Sequence, residues 1–309
     1  RTSTPEDGSV RRSRGKGSAG GSLVFGLSLD DLNRESDRCR PAHDRTKGAD
    51  GWASLEVSPL LAHDTASTIA AAKELSARSG RPNLFIKIPG TREGLPAIEE
   101  AIFAGVPINV TLLFSREQYV ASAEAYLRGI ERRIDAGLNP EVGSVASVFI
   151  SRWDVAVAEK IPPVLRNRLG IAIAGRTYKA YLELLNNPRW QRAYNAGARQ
   201  QRLLWASTGT KDPSASDILY IKALASPFTV NTIPEKTLLA LADHGEIGPL
   251  MAPDGVDCEK VLEQFAKAGV DVDALAAQLQ DEGAKAFVKS WKELLEVIAT
   301  KSEKLKQAA

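Results

Sequence analysis

The chain has 309 residues, of which 43% are hydrophobic and 25% charged. That is enough to bury a large core without disulfides or structural metal, and it excludes disorder throughout. A near-even balance of 40 Lys+Arg against 38 Asp+Glu excludes a broad nucleic-acid footprint, no run approaches the ~18 apolar residues of a membrane span, and the start lacks a secretory apolar core. Cys39 and Cys258 are far apart and outside CxxC spacing, which fits a reducing compartment, the cytoplasm by default.

Residues 1–22 are dominated by Arg/Lys, Gly and Ser, with Val10 and Ala19 the only aliphatic side chains. Such a stretch cannot offset its ordering entropy and is predicted to be a solvated tail. The chain opens on Arg1 and its only methionine is Met251, which reads as a start that is missing or misread upstream. Leu23 to Leu29 is predicted as a strand, followed by a charged, turn-rich run to Asp50.

From Gly51 the pattern becomes regular. Ser54–Val57 alternates as a strand, and Asp64 or Thr65 then caps an Ala-rich helix that closes at Gly80. Leu84–Ile88 is an apolar strand ended by Pro89, and Leu95–Ala104 is a short helix before Gly105. Ile108–Phe114 is a strand; Ser115 with Gln118 forms a capping box that opens a helix to Gly137. Val145–Ser151 is the next strand. Helical sequence from Asp154 follows, broken at Pro162–Pro163 and resuming to about Asn187, with a shorter piece around Pro188–Asn195. Leu203–Ser207 and Phe228–Thr232 are short strands around a helix near 216–225. Pro234 starts a helix ending at Gly245, and the chain from Asp257 reads as helices.

Regular βα alternation implies a parallel sheet with helical crossovers. No strand leads into GxGxxG or GxxxxGK[ST], and polar residues gather on one parity of each strand, which favours an α/β (β/α)8 barrel over an open nucleotide-binding sheet. Six strands can be counted from Ser54, so the first and second strands are expected to be incomplete or aberrant.

On the polar parity stand Glu56, Lys87, Asn109 with Thr111, and Ser147 with Ser151, and Arg152 and Lys211 follow strand ends. A lysine inside a strand of Leu, Phe and Ile is costly to bury as an ammonium, and the neutral amine so favoured is a nucleophile able to form Schiff bases with carbonyl substrates. Parity leaves open whether Lys87 does this or simply pairs with Glu56. Glu56 is a general acid/base candidate on the same terms, or a rim carboxylate balancing the lysine. Arg152 and Lys211 could gather an anionic substrate, a phosphate being the natural guess, or be ordinary surface cations. His43, His63 and His244 have no metal-ligand spacing and no GxSxG elbow accompanies them, so a metal centre and a serine hydrolase are disfavoured.

The segments LEVSPLLAHDT (55–65), FIKIPGT (85–91), NVTLLFS (109–115), SVFISRWD (147–154) and LWASTGTKDP (204–213) together resemble the transaldolase family. The resemblance is closest to the bacterial form that also occurs fused ahead of a glucose-6-phosphate isomerase. It implies that Lys87 is the Schiff-base lysine, and that Glu56 and Thr111 hold a proton-relaying water. Asn109 would contact the bound dihydroxyacetone unit, and Ser147, Arg152 and Lys211 the phosphate. It implies sugar-phosphate substrates and no cofactor, metal, nucleic acid or membrane as partner; a homodimer is among the assemblies it allows. The activity implied is transfer of a dihydroxyacetone unit from sedoheptulose 7-phosphate or fructose 6-phosphate to glyceraldehyde 3-phosphate or erythrose 4-phosphate, in the non-oxidative pentose phosphate pathway.

Family members carry an aspartate on a first strand as acid/base for carbon–carbon cleavage, and a Thr-Ser-Asn-Pro motif on a second. Neither is found in residues 1–50, and Asp30 and Asp31 have no motif to support that role. The resemblance is therefore expected to begin near Gly48, with 1–47 an aberrant, largely disordered segment and 48–309 the barrel unit with its C-terminal helices. The change at Arg45–Gly48 reads as a misjoined start. Two alternatives remain: a Schiff-base aldolase releasing free dihydroxyacetone, and a catalytically impaired transaldolase fragment.

Overall fold

The computed structural model describes residues 21–255 and 257–307. The tail expected over 1–22 lies, but for its last two residues, outside the described residues. The first element is a helix, α1 (Gly21–Arg45), followed by β1 (Ala53–Glu56), a 3-10 turn (Pro59–Leu61) and α2 (Thr65–Ser79). Then come β2 (Leu84–Pro89), α3 (Gly94–Phe103), β3 (Ile108–Leu113), α4 (Arg116–Asp135) and β4 (Ser144–Phe149). After α5 (Ser151–Val157), α6 (Leu169–Leu185) and α7 (Pro188–Asn195) the chain returns as β5 (Gln201–Ala206). It ends through α8 (Leu219–Ala223), β6 (Val230–Asn231), α9 (Glu235–His244), α10 (Cys258–Lys267) and α11 (Val272–Gln307).

Local chemistry sets these boundaries where the sequence predicts it. Asp64 accepts the Ser67 amide at the start of α2, and Gly80 closes that helix in the left-handed conformation at φ 59°. Ser115 and Gln118 exchange both bonds of the capping box at the start of α4.

Among the described residues six parallel strands form one sheet in chain order, with β1 and β6 at its edges. The sheet is a half-barrel of α/β type. Its outer face carries Leu55, Ile86, Ile88, Val110, Val148 and Trp205 into a core shared with the helices. The inner face carries Phe85, Val145, Phe149 and Leu204 into a second cluster, completed by Phe265 of α10 and Leu279 of α11. A cleft of about 600 Å³ opens at the end of the sheet where the strands begin, lined by Trp52, Ser54 of β1, Asn109 of β3 and Val230 of β6. α11 touches the 3-10 turn, β3 and α1, so it lies over the end of the barrel at which the strands terminate.

Two expectations are corrected. The strand expected over Leu23–Leu29 is the first part of α1, whose Val24, Leu29 and Ser36 are buried and whose Phe25 and Leu32 pack on the outer core. A short apolar run does not by itself distinguish a strand from a buried helix turn, and here tertiary packing decides. α1 is held by Arg81, which donates to both oxygens of Asp37, and by the Asn83 amide, which donates to the Ser36 carbonyl. The strand expected to reach Ser151 stops at Phe149, because Ser151 already begins α5. No helix of the described residues is long and apolar enough to cross a membrane.

Candidate active site

In β2 the outward Leu84, Ile86 and Ile88 are at most 2% exposed, and the alternation turns Lys87 to the inner face. Glu56, the last residue of β1, is in register with Lys87, and Glu56 Oε2 lies 3.5 Å from Lys87 Nζ. Both side chains are about three-quarters withdrawn from solvent. The other carboxylate oxygen, Glu56 Oε1, is buried without a hydrogen-bond partner, and so is Thr111 Oγ1 on β3. Two buried polar atoms without a partner on the inner face are suited to binding a small polar molecule.

Asn109 is paired in register with Lys87. Its Nδ2 donates to Ser54 Oγ at 3.2 Å, and its Oδ1 accepts the Ser147 hydroxyl at 2.7 Å. The structure therefore groups Ser147 with Asn109 inside the barrel.

Arg152, in the first turn of α5, is at the mouth. Its guanidinium lies 5.1 Å from the Phe149 ring and 5.9 Å from that of Phe287 on α11. A Cβ on Gly283 would come within 3.3 Å of Arg152 Nη1, so the glycine lets helix and guanidinium approach. Among the described residues no carboxylate is paired with Arg152, while burial pulls its pKa down. A half-buried, unpaired guanidinium is suited to an anionic ligand. Beside it the hydroxyls of Ser151 and Ser207 meet at 2.9 Å.

Lys211 is not part of this group. It is exposed in the loop after β5 and lines a separate recess with Asp154, Arg166 and Asn167. Asp154 is occupied by structure: it accepts the Leu169 and Gly170 amides at the start of α6 and the Tyr220 hydroxyl at 2.7 Å. Burial pushes its pKa up to about 6 against these bonds.

Asp30 and Asp31 are exposed on α1, and Asp31 is 3.4 Å from Arg34. Among the described residues, Glu56 is the one carboxylate within ion-pair distance of Lys87. His63 faces Glu93 and His244 faces Asp217 and Asp243, all at the surface. Among the described residues no cluster of His, Cys, Asp or Glu is arranged to hold a metal.

Sequence reasoning missed Gln280 and Ser207. Gln280 Nε2 donates to the carbonyls of Gly90 and Leu112, just beyond Lys87 and Thr111. Its signal is faint: a lone polar residue on the helix face that also carries Ala276, Leu279 and Gly283. Ser207 ends β5 at φ 55°, which no local pattern announces.

Residues 4–298 match the family model described as Transaldolase/Fructose-6-phosphate aldolase. A transaldolase of Parafrankia sp. (strain EAN1pec) is 42% identical over 287 residues, 90% of this chain and 78% of that protein. Transaldolase 1 of Streptomyces avermitilis is 43% identical over 283 residues, covering 89% and 75%. A transaldolase of Mycolicibacterium smegmatis is 41% identical over 302 residues, covering 95% and 81%. The match runs through Arg45–Gly48 and begins at residue 4, which overturns the expectation that the first 47 residues fall outside the family. Short motifs mark the strand ends, whereas the helix before β1 carries no short motif. By the span matched and the identity across it, this chain belongs to the transaldolase/fructose-6-phosphate aldolase family.

Proposed function

We propose that the chain is a Schiff-base transaldolase acting on sugar phosphates in the non-oxidative pentose phosphate pathway. The observation that carries this reading is Lys87 on the inner face, 3.5 Å from Glu56, with the orphaned Glu56 Oε1 and Thr111 Oγ1 beside it. Lys87 as free amine adds to the C2 carbonyl of the ketose phosphate. The carbinolamine loses its hydroxyl as water, with Glu56 and Thr111 relaying the proton through a water molecule, and an iminium forms. The C4 hydroxyl gives its proton to Glu56 through the same water as the C3–C4 bond breaks, the bonding pair moves into the iminium to give an enamine, and that proton is returned to the alkoxide formed when the enamine adds to the acceptor. The aldose phosphate leaves. The enamine adds to the aldehyde carbon of the second aldose phosphate, and water releases the new ketose and the lysine.

Asn109 and Ser147, which share a hydrogen bond, are assigned to the hydroxyls of the three-carbon unit. Arg152 with Ser151 and Ser207 is assigned to the phosphate, with Lys211, exposed in the loop after β5, as an outer phosphate contact. The sheet is read as six staves of an eight-stranded barrel, with residues 48–309 as the catalytic unit; its free β1 and β6 edges support that reading. The free thiols Cys39 and Cys258 support a reducing, cytoplasmic setting.

A second reading, a chain that forms the Schiff base but cleaves slowly, is favoured by Glu56 being, among the described residues, the one carboxylate within ion-pair distance of Lys87. Loss of a dedicated acid/base costs about 10²–10⁴-fold in rate. Incubation with fructose 6-phosphate, borohydride reduction and peptide mass spectrometry test both. A three-carbon adduct on Lys87 is the result expected for a transaldolase, and a six-carbon adduct the result for the slow-cleaving form. No adduct on a cooperatively folded chain overturns both. Transfer to erythrose 4-phosphate, against release of free dihydroxyacetone, separates a transaldolase from a simple aldolase.

A further inference from the structure

Immediately after Thr111 the backbone of β3 leaves regular geometry. Leu112 adopts φ 59° and the pairing with β4 slips between Val110 and Leu113. A non-glycine residue in the left-handed region is strained and persists only when its surroundings hold it there. Leu112 is 1% exposed and faces inward, so part of that hold is packing.

The rest comes from a distant part of the chain. One side-chain amide on α11, Gln280 Nε2, donates to the Leu112 carbonyl at 2.9 Å and to the Gly90 carbonyl at 3.1 Å. Gly90 in turn donates its amide to the Thr111 carbonyl at 2.7 Å. The chain beyond Lys87 and the chain beyond Thr111 are thus tied to each other and to α11 through one carboxamide. One turn further, Gly283 packs against Leu112 and Arg152: a Cβ there would be 2.8 Å from a Leu112 methyl.

We propose that Gln280 is a positioning residue for the reaction: by clamping the Gly90 and Leu112 carbonyls it sets the Thr111 hydroxyl against Lys87 and Glu56. The inference rests on the Schiff-base reading above. Gln280 reaches neither Lys87 nor the hydroxyl itself; it acts through the backbone. A misplacement of about 1 Å at such a site costs on the order of 10²-fold in rate. A residue that sets geometry without binding substrate lowers kcat and leaves KM nearly unchanged.

The test is Gln280→Met, which keeps the length and removes both donors, measured beside the wild-type chain for its melting profile, kcat, KM and the rate at which borohydride traps fructose 6-phosphate on Lys87. The expected result, per folded molecule, is a kcat and a trapping rate lower by roughly 10- to 100-fold with KM changed less than about 3-fold. Gln280→Lys, whose ammonium can donate to both carbonyls, is expected to recover most of the rate. A Met variant that melts earlier but turns over at the wild-type rate when folded overturns the proposal. If the Met variant does not fold, Gln280→Glu, which lacks donors when ionised, is compared with Gln280→Lys: a lower kcat for Glu supports the clamp and equal values overturn it. A wild-type chain that traps nothing on Lys87 overturns the functional reading and this one together, whereas trapping that is equally fast in both chains overturns this one alone.

Discussion

Glu56 and Lys87 occupy paired positions on neighbouring strands, and the carboxylate lies 3.5 Å from the amine across the start of the inner face. Parallel register makes this contact independent of any loop. It keeps a carboxylate within reach of the Lys87 amine. Replacing Lys87 with Met is expected to abolish borohydride trapping and turnover. Glu56→Gln should retain trapping at a rate lower by about 10²–10⁴-fold, read by quenched-flow reduction. Unchanged trapping in Glu56→Gln would remove the glutamate from Schiff-base formation.

Thr111 separates function from stability. Its hydroxyl is fully buried and has no partner among the described residues, so Thr111→Val, which keeps the shape and removes the polar atom, should leave the unfolding free energy equal or higher, by up to about 1 kcal/mol. Turnover should fall by about 10²-fold. Calorimetry and steady-state kinetics on the same preparation check both halves; a less stable Val variant would show that the hydroxyl is satisfied in the folded protein.

Arg152 is held over two aromatic rings with no carboxylate paired to it among the described residues. A charge-assisted hydrogen bond contributes about 1.5–3 kcal/mol. Arg152→Ala should therefore raise KM for fructose 6-phosphate by about 10- to 100-fold and leave free fructose unaffected. An equal loss on both substrates would place Arg152 in the fold instead of the phosphate site.

Asp154 provides a pH signature unrelated to catalysis. Burial raises its pKa from 3.8 to about 6, so between those values the folded chain holds a proton that the unfolded chain has lost. Stability from this group is complete below about pH 3.8, falls as pH rises, and is gone above about pH 6, a change on the order of 3 kcal/mol. Urea melts of wild type and Asp154→Asn across pH 4–7 should show the wild type losing ground to the variant as pH rises. A constant difference would refute the assignment.

Much of this was legible in the sequence because it depends on near neighbours. Alternation along β2 showed that Lys87 faces away from Leu84, Ile86 and Ile88. Capping chemistry located α2 and α4 to within a residue or two. The same kind of reading failed at Leu23–Leu29, where helix and strand patterns look alike over seven residues and only burial against the outer core decides for a helix. It could not separate Lys211 from Arg152, since both follow strand ends and only the loop path puts Lys211 in another recess.

The sequence by itself determined the parallel βα order, the polar inner row and the family, because each is carried by side-chain periodicity or by contiguous motifs. Tertiary structure alone decided that Glu56 meets Lys87, that Ser147 bonds to Asn109, and that Gln280, about 170 residues from Leu112, donates to its carbonyl. Those relationships depend on strand register, barrel curvature and the path of α11. They are set by packing free energy summed over the whole core, so no local stretch of sequence encodes them.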